Sequence, residues 1–127
     1  MKNKNTIVAV IILVAIVVGV FLLQKAPARA GELDGFASCL KDKGLLFYGA
    51  FTCKYCQQQK ALFGRSASQL PYVECSTPDA RGQTQICIDK KITTYPTWQF
   101  PDGSLELGVQ SLDYLAEKSG CELPKQE

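Results

Sequence analysis

The 127 residues carry 14 basic and 12 acidic side chains and no histidine. Charges this evenly matched, without a basic stripe, leave no footprint for nucleic acid. The missing histidine rules out a Cys–His nucleophile and a Cys2His2 zinc site. It also rules out covalent haem attachment, which needs histidine where Gln57 follows Cys56.

The apolar residues are unevenly placed, with an uncharged run from Ile7 to Leu23 near the start. As a helix that run is roughly 26 Å long, close to the ~30 Å of a hydrocarbon core. Nothing in it is polar enough to make a second face, which argues against a core helix. Two readings stay open. A cleaved signal peptide has a shorter apolar region of ~7–15 residues, so the length favours a retained single span. Ala28-Arg29-Ala30 before Gly31 nevertheless resembles a small-x-small cleavage site. The expected organisation is an anchor over residues 1–24, a linker over 25–32 and one domain over 33–124.

All six cysteines lie after the apolar run. An even count in a small domain behind such a segment points to an oxidising compartment. Flanking charges barely fix the orientation, so the cysteines decide it: N-terminus inside, single pass through the cell membrane, domain on the extracytoplasmic or periplasmic side.

Leu33 to Lys41 reads as an amphipathic helix, with Leu33, Phe36, Ala37 and Leu40 on one face and Gly44 ending it. Leu45-Leu46-Phe47-Tyr48 has the almost wholly apolar pattern of a central strand buried on both faces. Gly49 to Thr52 leads into Cys53-Lys54-Tyr55-Cys56, and helix formers follow from Gln57 to Phe63. Pro71 to Cys75 reads as a second strand, Ser76 to Gly82 as a polar turn region and Gln83 to Lys91 as a short helix. Thr97 to Phe100 and Leu105 to Leu107 are strand-like, with the turn signal Pro101-Asp102-Gly103-Ser104 between them. Ser111 is placed to cap a last helix bearing Leu112, Leu115 and Ala116, and Gly120 to end it. This order predicts an α/β domain: a mixed sheet of about four strands with helices on both faces.

Cys53 and Cys56 are the candidate catalytic residues. The first stands where unpaired backbone N–H groups and the helix dipole favour negative charge, and the neighbouring Lys54 cation adds modestly. The second lies one turn on, with Cα atoms roughly 5–6 Å apart, within reach of a disulfide. Cys53 is therefore expected to attack a partner's disulfide and Cys56, more buried, to resolve the mixed intermediate. Zinc would want a second such pair or histidines, so no metal is expected, and bridges across two residues are uncommon as staples. The expected cofactor is none beyond the redox-active disulfide.

The segment Tyr48 to Gly64, with Thr52-Cys53-Lys54-Tyr55-Cys56 at its centre, resembles the active-site segment of one thioredoxin-like group. That group is associated with bacterial vitamin K epoxide reductase homologues. Pro71-Tyr72-Val73-Glu74-Cys75-Ser76, Thr93-Thr94-Tyr95-Pro96-Thr97-Trp98, Gly108 to Leu112 and Leu115 to Gly120 resemble its later blocks, in order. The resemblance spans roughly residues 36–120. It implies a thioredoxin-like fold with Cys53 and Cys56 as the redox pair. It further implies a cis Tyr95–Pro96 peptide facing them, at which an extended substrate binds. Trp98 is expected in the core.

Cys75 and Cys87 match paired cysteines of the group, which implies a structural bridge. A second redox pair relaying electrons is the alternative. Cys39 and Cys121 then either staple the two ends of the domain or stay as free thiols, since six cysteines allow fifteen pairings. Two departures stand out. Members of the group commonly have tryptophan before the first cysteine and Pro-His between the pair, where this chain has Thr52 and Lys54-Tyr55. Phe47 occupies the strand region where many thioredoxins bury a proton-shuttling carboxylate, so solvent is expected to serve as the relay.

Together these readings predict a membrane-anchored thiol–disulfide oxidoreductase whose partners are protein thiols and disulfides. By resemblance, a membrane quinone reductase of the vitamin K epoxide reductase type is a further partner, and the anchor would raise their effective concentration. The alternatives are a reductase or isomerase fed from inside the cell, and a thioredoxin-fold binding module whose disulfides only stabilise it.

Overall fold

A computed structural model describes residues 2–23 and 31–125. Residues 24–30, with most of the expected linker and the Ala28-Arg29-Ala30 motif, lie outside the described residues. Helix α1 runs from Lys2 to Leu23, ahead of the apolar run at its start and ending with it. The window Asn3–Val20 has a mean hydropathy of 2.1 and none of it is buried against protein. At ~1.5 Å per residue the helix is about 33 Å long, so it is long and apolar enough to cross a bilayer.

The domain begins with α2 (Asp34–Asp42), which buries Phe36, Ala37 and Leu40 at helical spacing. Strand β1 (Leu46–Gly49) follows. Helix α3 (Lys54–Phe63) starts one residue after Cys53 and continues into a 3-10 segment, Gly64–Gln69, where no regular element was expected. Strand β2 (Tyr72–Glu74), the short helix α4 (Gln85–Asp89), strands β3 (Thr97–Gln99) and β4 (Leu105–Leu107), and helix α5 (Leu112–Ser119) complete the order. Ser111 caps α5 by accepting the Tyr114 N–H at 3.1 Å, and Gly120 ends it at φ 72°, a conformation glycine adopts without steric cost.

The four strands form one mixed sheet in the order β2-β1-β3-β4. The β1–β2 pair is parallel and joined through α3, while β1–β3 and β3–β4 are antiparallel. Alternation along β1 sorts the core. Leu45 and Phe47 face a cluster fed by α2, α3 and α5, in which the Phe47 ring stacks on Trp98 with centroids 4.9 Å apart. Leu46 and Tyr48 face the opposite way, toward Val73, Ile92 and the Cys75–Cys87 pair beside α4. Helices therefore cover both faces, and the domain has a thioredoxin-like fold. Gln59 is a fully buried polar residue in this core. Its Oε1 accepts from Trp98 Nε1 at 3.2 Å and Gln110 N–H at 2.7 Å, and its Nε2 donates to the Gln110 carbonyl, so α3 is fastened to β3 and to the approach of α5.

Two disulfides staple the domain. Cys39–Cys121 joins α2 to the segment after α5 across 82 positions, and Cys75–Cys87 joins the end of β2 to α4 across 12. Both closures restrict the unfolded chain.

Candidate active site

The turn after β1 sets Cys53 in place. Its N–H donates to the Ala50 carbonyl at 3.0 Å, and its extended backbone (φ −84°, ψ 117°) makes it the N-cap of α3. The Cys53 Sγ accepts the Cys56 N–H at 3.4 Å, so a sulfur takes the capping role that an oxygen usually has. Cys53 is half-buried and Cys56 fully buried, and both are free thiols. Burial is the main cause that pushes the Cys56 thiol up to about 12. The neighbouring Cys53 adds to the rise, while a backbone hydrogen bond at Ala50 and the Lys60 charge oppose it.

The Tyr95–Pro96 peptide bond is cis, and the loop carrying it faces the pair. The Tyr95 carbonyl lies 3.7 Å from Cys53 Sγ, placed to accept a weak bond from the thiol. Pro96 is fully buried, and its carbonyl accepts the Gly108 N–H at 2.8 Å. Gln83, from the loop closed by Cys75–Cys87, donates to both the Tyr95 hydroxyl and the Ile92 carbonyl at 2.6 Å. An open groove of about 590 Å³ runs beside Cys53, with Thr52, Ser76, Arg81, Gln83 and Tyr95 among its walls. Cys53, Tyr95 and Pro96 thus come together at one site with Cys56 beneath. Cys75 and Cys87 lie bridged beside it, and Cys39 and Cys121 take no part in it.

Three residues that sequence reasoning missed complete the surroundings. Glu74, opposite Gly49 in the β1–β2 register, accepts the Phe51 N–H at 3.2 Å and the Ser76 N–H at 2.8 Å on one oxygen. Its other oxygen accepts the Tyr72 hydroxyl at 2.8 Å. One carboxylate thereby ties the active-site turn to the disulfide loop. Burial, and then its bond to Glu74, raise the Tyr72 hydroxyl above the ordinary tyrosine value. The Lys60 ammonium sits 3.5 Å above the Tyr72 ring centroid. Lys54, the cation expected to help Cys53 modestly, stands 5.3 Å over the ring of exposed Tyr55. Among the described residues no group of three or more Cys, Asp and Glu side chains is placed to hold a metal ion.

No family model matches the chain. It is similar to "Thiol-disulfide oxidoreductase LTO1" of Arabidopsis thaliana, at 32% identity over 136 aligned positions that cover 91% of this chain and 36% of that protein. The chain therefore spans about a third of the length of that relative. The fold is thioredoxin-like, and the similarity is to part of a protein whose name gives it as a thiol–disulfide oxidoreductase.

Proposed function

We propose that this chain is a membrane-anchored thiol–disulfide oxidoreductase working through Cys53 and Cys56. The observation that carries the reading is the asymmetry of the pair. Cys53 opens to a groove at the start of a helix, and Cys56 is held underneath, one turn along, with its thiol protonated until needed. In the direction that reduces the partner, Cys53 attacks a substrate disulfide and one substrate sulfur leaves as a thiol. Cys56 then attacks Cys53, the Cys53–Cys56 bond forms and the second substrate sulfur leaves with a proton. The reverse sequence delivers the disulfide to a dithiol. Two further disulfides in a domain of this size favour an oxidising compartment, hence a domain outside the cytoplasm with α1 as its single-pass anchor. The resemblance to the group associated with vitamin K epoxide reductase homologues makes a membrane quinone reductase of that type the proposed electron partner. The substrate is an extended protein segment laid along the groove past Tyr95 and Pro96.

Trapping tests the reading. Cys56→Ala keeps the attack and deletes the release route, so mixed disulfides accumulate; Cys53→Ala leaves a shielded thiol that rarely reacts. Non-reducing gels and mass spectrometry of the adducts should show exported cysteine proteins and a multi-span membrane protein with the first variant alone. Equal adducts from both would void the roles, cytoplasmic partners would overturn the location, and no adducts from either would favour a binding module.

A further inference from the structure

A buried thiol that must become an anion needs a cation or a solvent path, and the surroundings of Cys56 supply a cation. Lys60 follows Cys56 by four positions on α3, so the two side chains lie on one helix face. Tyr72 on β2 lies against that same face. A Cβ built on Gly49 would stand 2.8 Å from Tyr72 Cε2 and 3.0 Å from Cys56 Sγ, so ring and sulfur are neighbours across the glycine. The ring in turn seats the Lys60 ammonium at 3.5 Å, and Glu74 fixes the ring through its hydroxyl. Without that seat a lysine stem has four rotatable bonds and no reason to stay on the side of the helix that carries Cys56.

We propose that Lys60, seated on the Tyr72 ring, is the positioning residue that supplies the counter-charge for the Cys56 thiolate in the resolving step. The inference rests on the exchange reading above and deepens it. In that step the Cys56 thiol releases its proton to solvent and the thiolate attacks Cys53 Sγ. The Cys53–Cys56 bond forms, the bond from Cys53 to the substrate sulfur breaks, and the departing thiolate takes up a proton. Cys56 is oxidised, the substrate sulfur is reduced, and no outside oxidant enters. Lys60 carries no proton in this sequence; its field lowers the cost of the anion inside the protein. The Lys60 charge does oppose the upward push of burial on Cys56, though it does not overcome it. The other titratable groups on this side are Cys53 at the head of α3, and Tyr72 with Glu74 behind it on β2. The β1 end contributes Gly49 and Ala50, which carry no charge, and the loop before β3 brings the Tyr95 carbonyl to Cys53.

The test uses the reduced full chain in detergent micelles and one equivalent of an aromatic disulfide that releases a coloured thiol. Attack by Cys53 releases one coloured thiol, and attack by Cys56 on the adduct releases the second, so both steps are timed in one experiment. In Lys60→Gln the ratio of second to first release should fall by about three- to tenfold near neutral pH. Its rise with pH should be displaced to higher pH, and Lys60→Arg should restore both. Added salt should slow the second release of the wild type and leave that of Lys60→Gln unchanged. A second release in Lys60→Gln with wild-type rate and pH profile overturns the proposal. So does a slower release whose pH profile and salt response match the wild type, because that is loss of packing alone. A wild-type second release that persists in Cys56→Ala sinks the exchange reading itself, and the role of Lys60 falls with it.

Discussion

Replacing Gly49 by alanine puts a methyl group where the domain has no room. Gly49 is buried at the end of β1, and its carbonyl accepts the Cys75 N–H at 2.7 Å, so the backbone there is pinned. Its φ is not positive, so the effect is purely steric. The new Cβ would meet Tyr72 Cε2 at 2.8 Å and Cys56 Sγ at 3.0 Å, closer than carbon and sulfur normally approach. Cys56 is rooted in α3 and fully buried, and the Tyr72 ring is held by Glu74 and Lys60, so neither yields freely. Overpacking of this kind costs ~1–3 kcal/mol. Alanine recovers ~0.5–1 kcal/mol of the backbone entropy that glycine loses in a strand. The net destabilisation is about 1–2 kcal/mol, a fall in melting temperature of roughly 5–15 °C for a domain this small. Because the displaced atoms belong to Cys56, the cysteine proposed to resolve the mixed disulfide, and to the seat of Lys60, the second thiol release should slow more than the first. Calorimetry of the full chain and the two-step release assay read the two effects separately. A melting temperature at or above the wild-type value, with an unaltered second release, would refute the packing argument.

Two further outcomes follow from the cysteines. Cys75→Ser combined with Cys87→Ser opens a closure of 12 positions and should cost about 2–3 kcal/mol, lowering the melting temperature while disulfide exchange at Cys53 stays measurable. Unchanged stability with collapsed exchange would instead make that pair a relay. The reduced protein should also lose stability in alkali. Burial pushes Cys56 up to about 12, so the folded chain keeps a proton that an unfolded thiol releases from about 8.5 upward. This contribution is complete below about pH 8.5 and fades toward about pH 12, so denaturant midpoints should fall with pH more steeply than those of Cys56→Ala. Parallel curves would show that Cys56 titrates alike in both states.

The fold was legible wherever a local rule had one solution. Leu45 to Tyr48 reads as a buried strand because no other element of four apolar residues fits between Gly44 and Gly49, and β1 lies there shifted by one residue. Ser111 and Gly120 bracket α5 because capping chemistry is local. The hairpin turn at Pro101 to Ser104 is equally local: Asp102 accepts the Ser104 N–H at 2.9 Å. The 3-10 segment Gly64–Gln69 was not legible, since Arg65 to Gln69 has neither a helical nor a strand period. Gln59 was hidden for a similar reason. It is one of three consecutive glutamines, and only the packing of Trp98 and Gln110 against α3 distinguishes it from its exposed neighbours.

At the site, the two cysteines were legible because a spacing of three is itself the geometry of one helical turn. Their electrostatic setting was not, because nearness along the chain and nearness in space diverge on a helix. Lys54 adjoins Cys53 in sequence, but its ammonium stands 5.3 Å over the Tyr55 ring. Lys60, four positions after Cys56, does share its face, so the helical period held a signal that adjacency obscured. What the period leaves open is whether such a lysine bends toward the sulfur or out to water. That is decided across the sheet by the register that puts Glu74 opposite Gly49, with Tyr72 beside the glycine. A glycine at that strand position leaves space for the ring, the ring seats the cation, and the cation's charge opposes part of the upward push that burial gives the Cys56 thiol. Phe47 in place of a buried carboxylate fits the same arrangement. It stacks on Trp98 as core, and the charge that acts on Cys56 comes from α3 at the half-buried edge of the site instead of from the strand beneath.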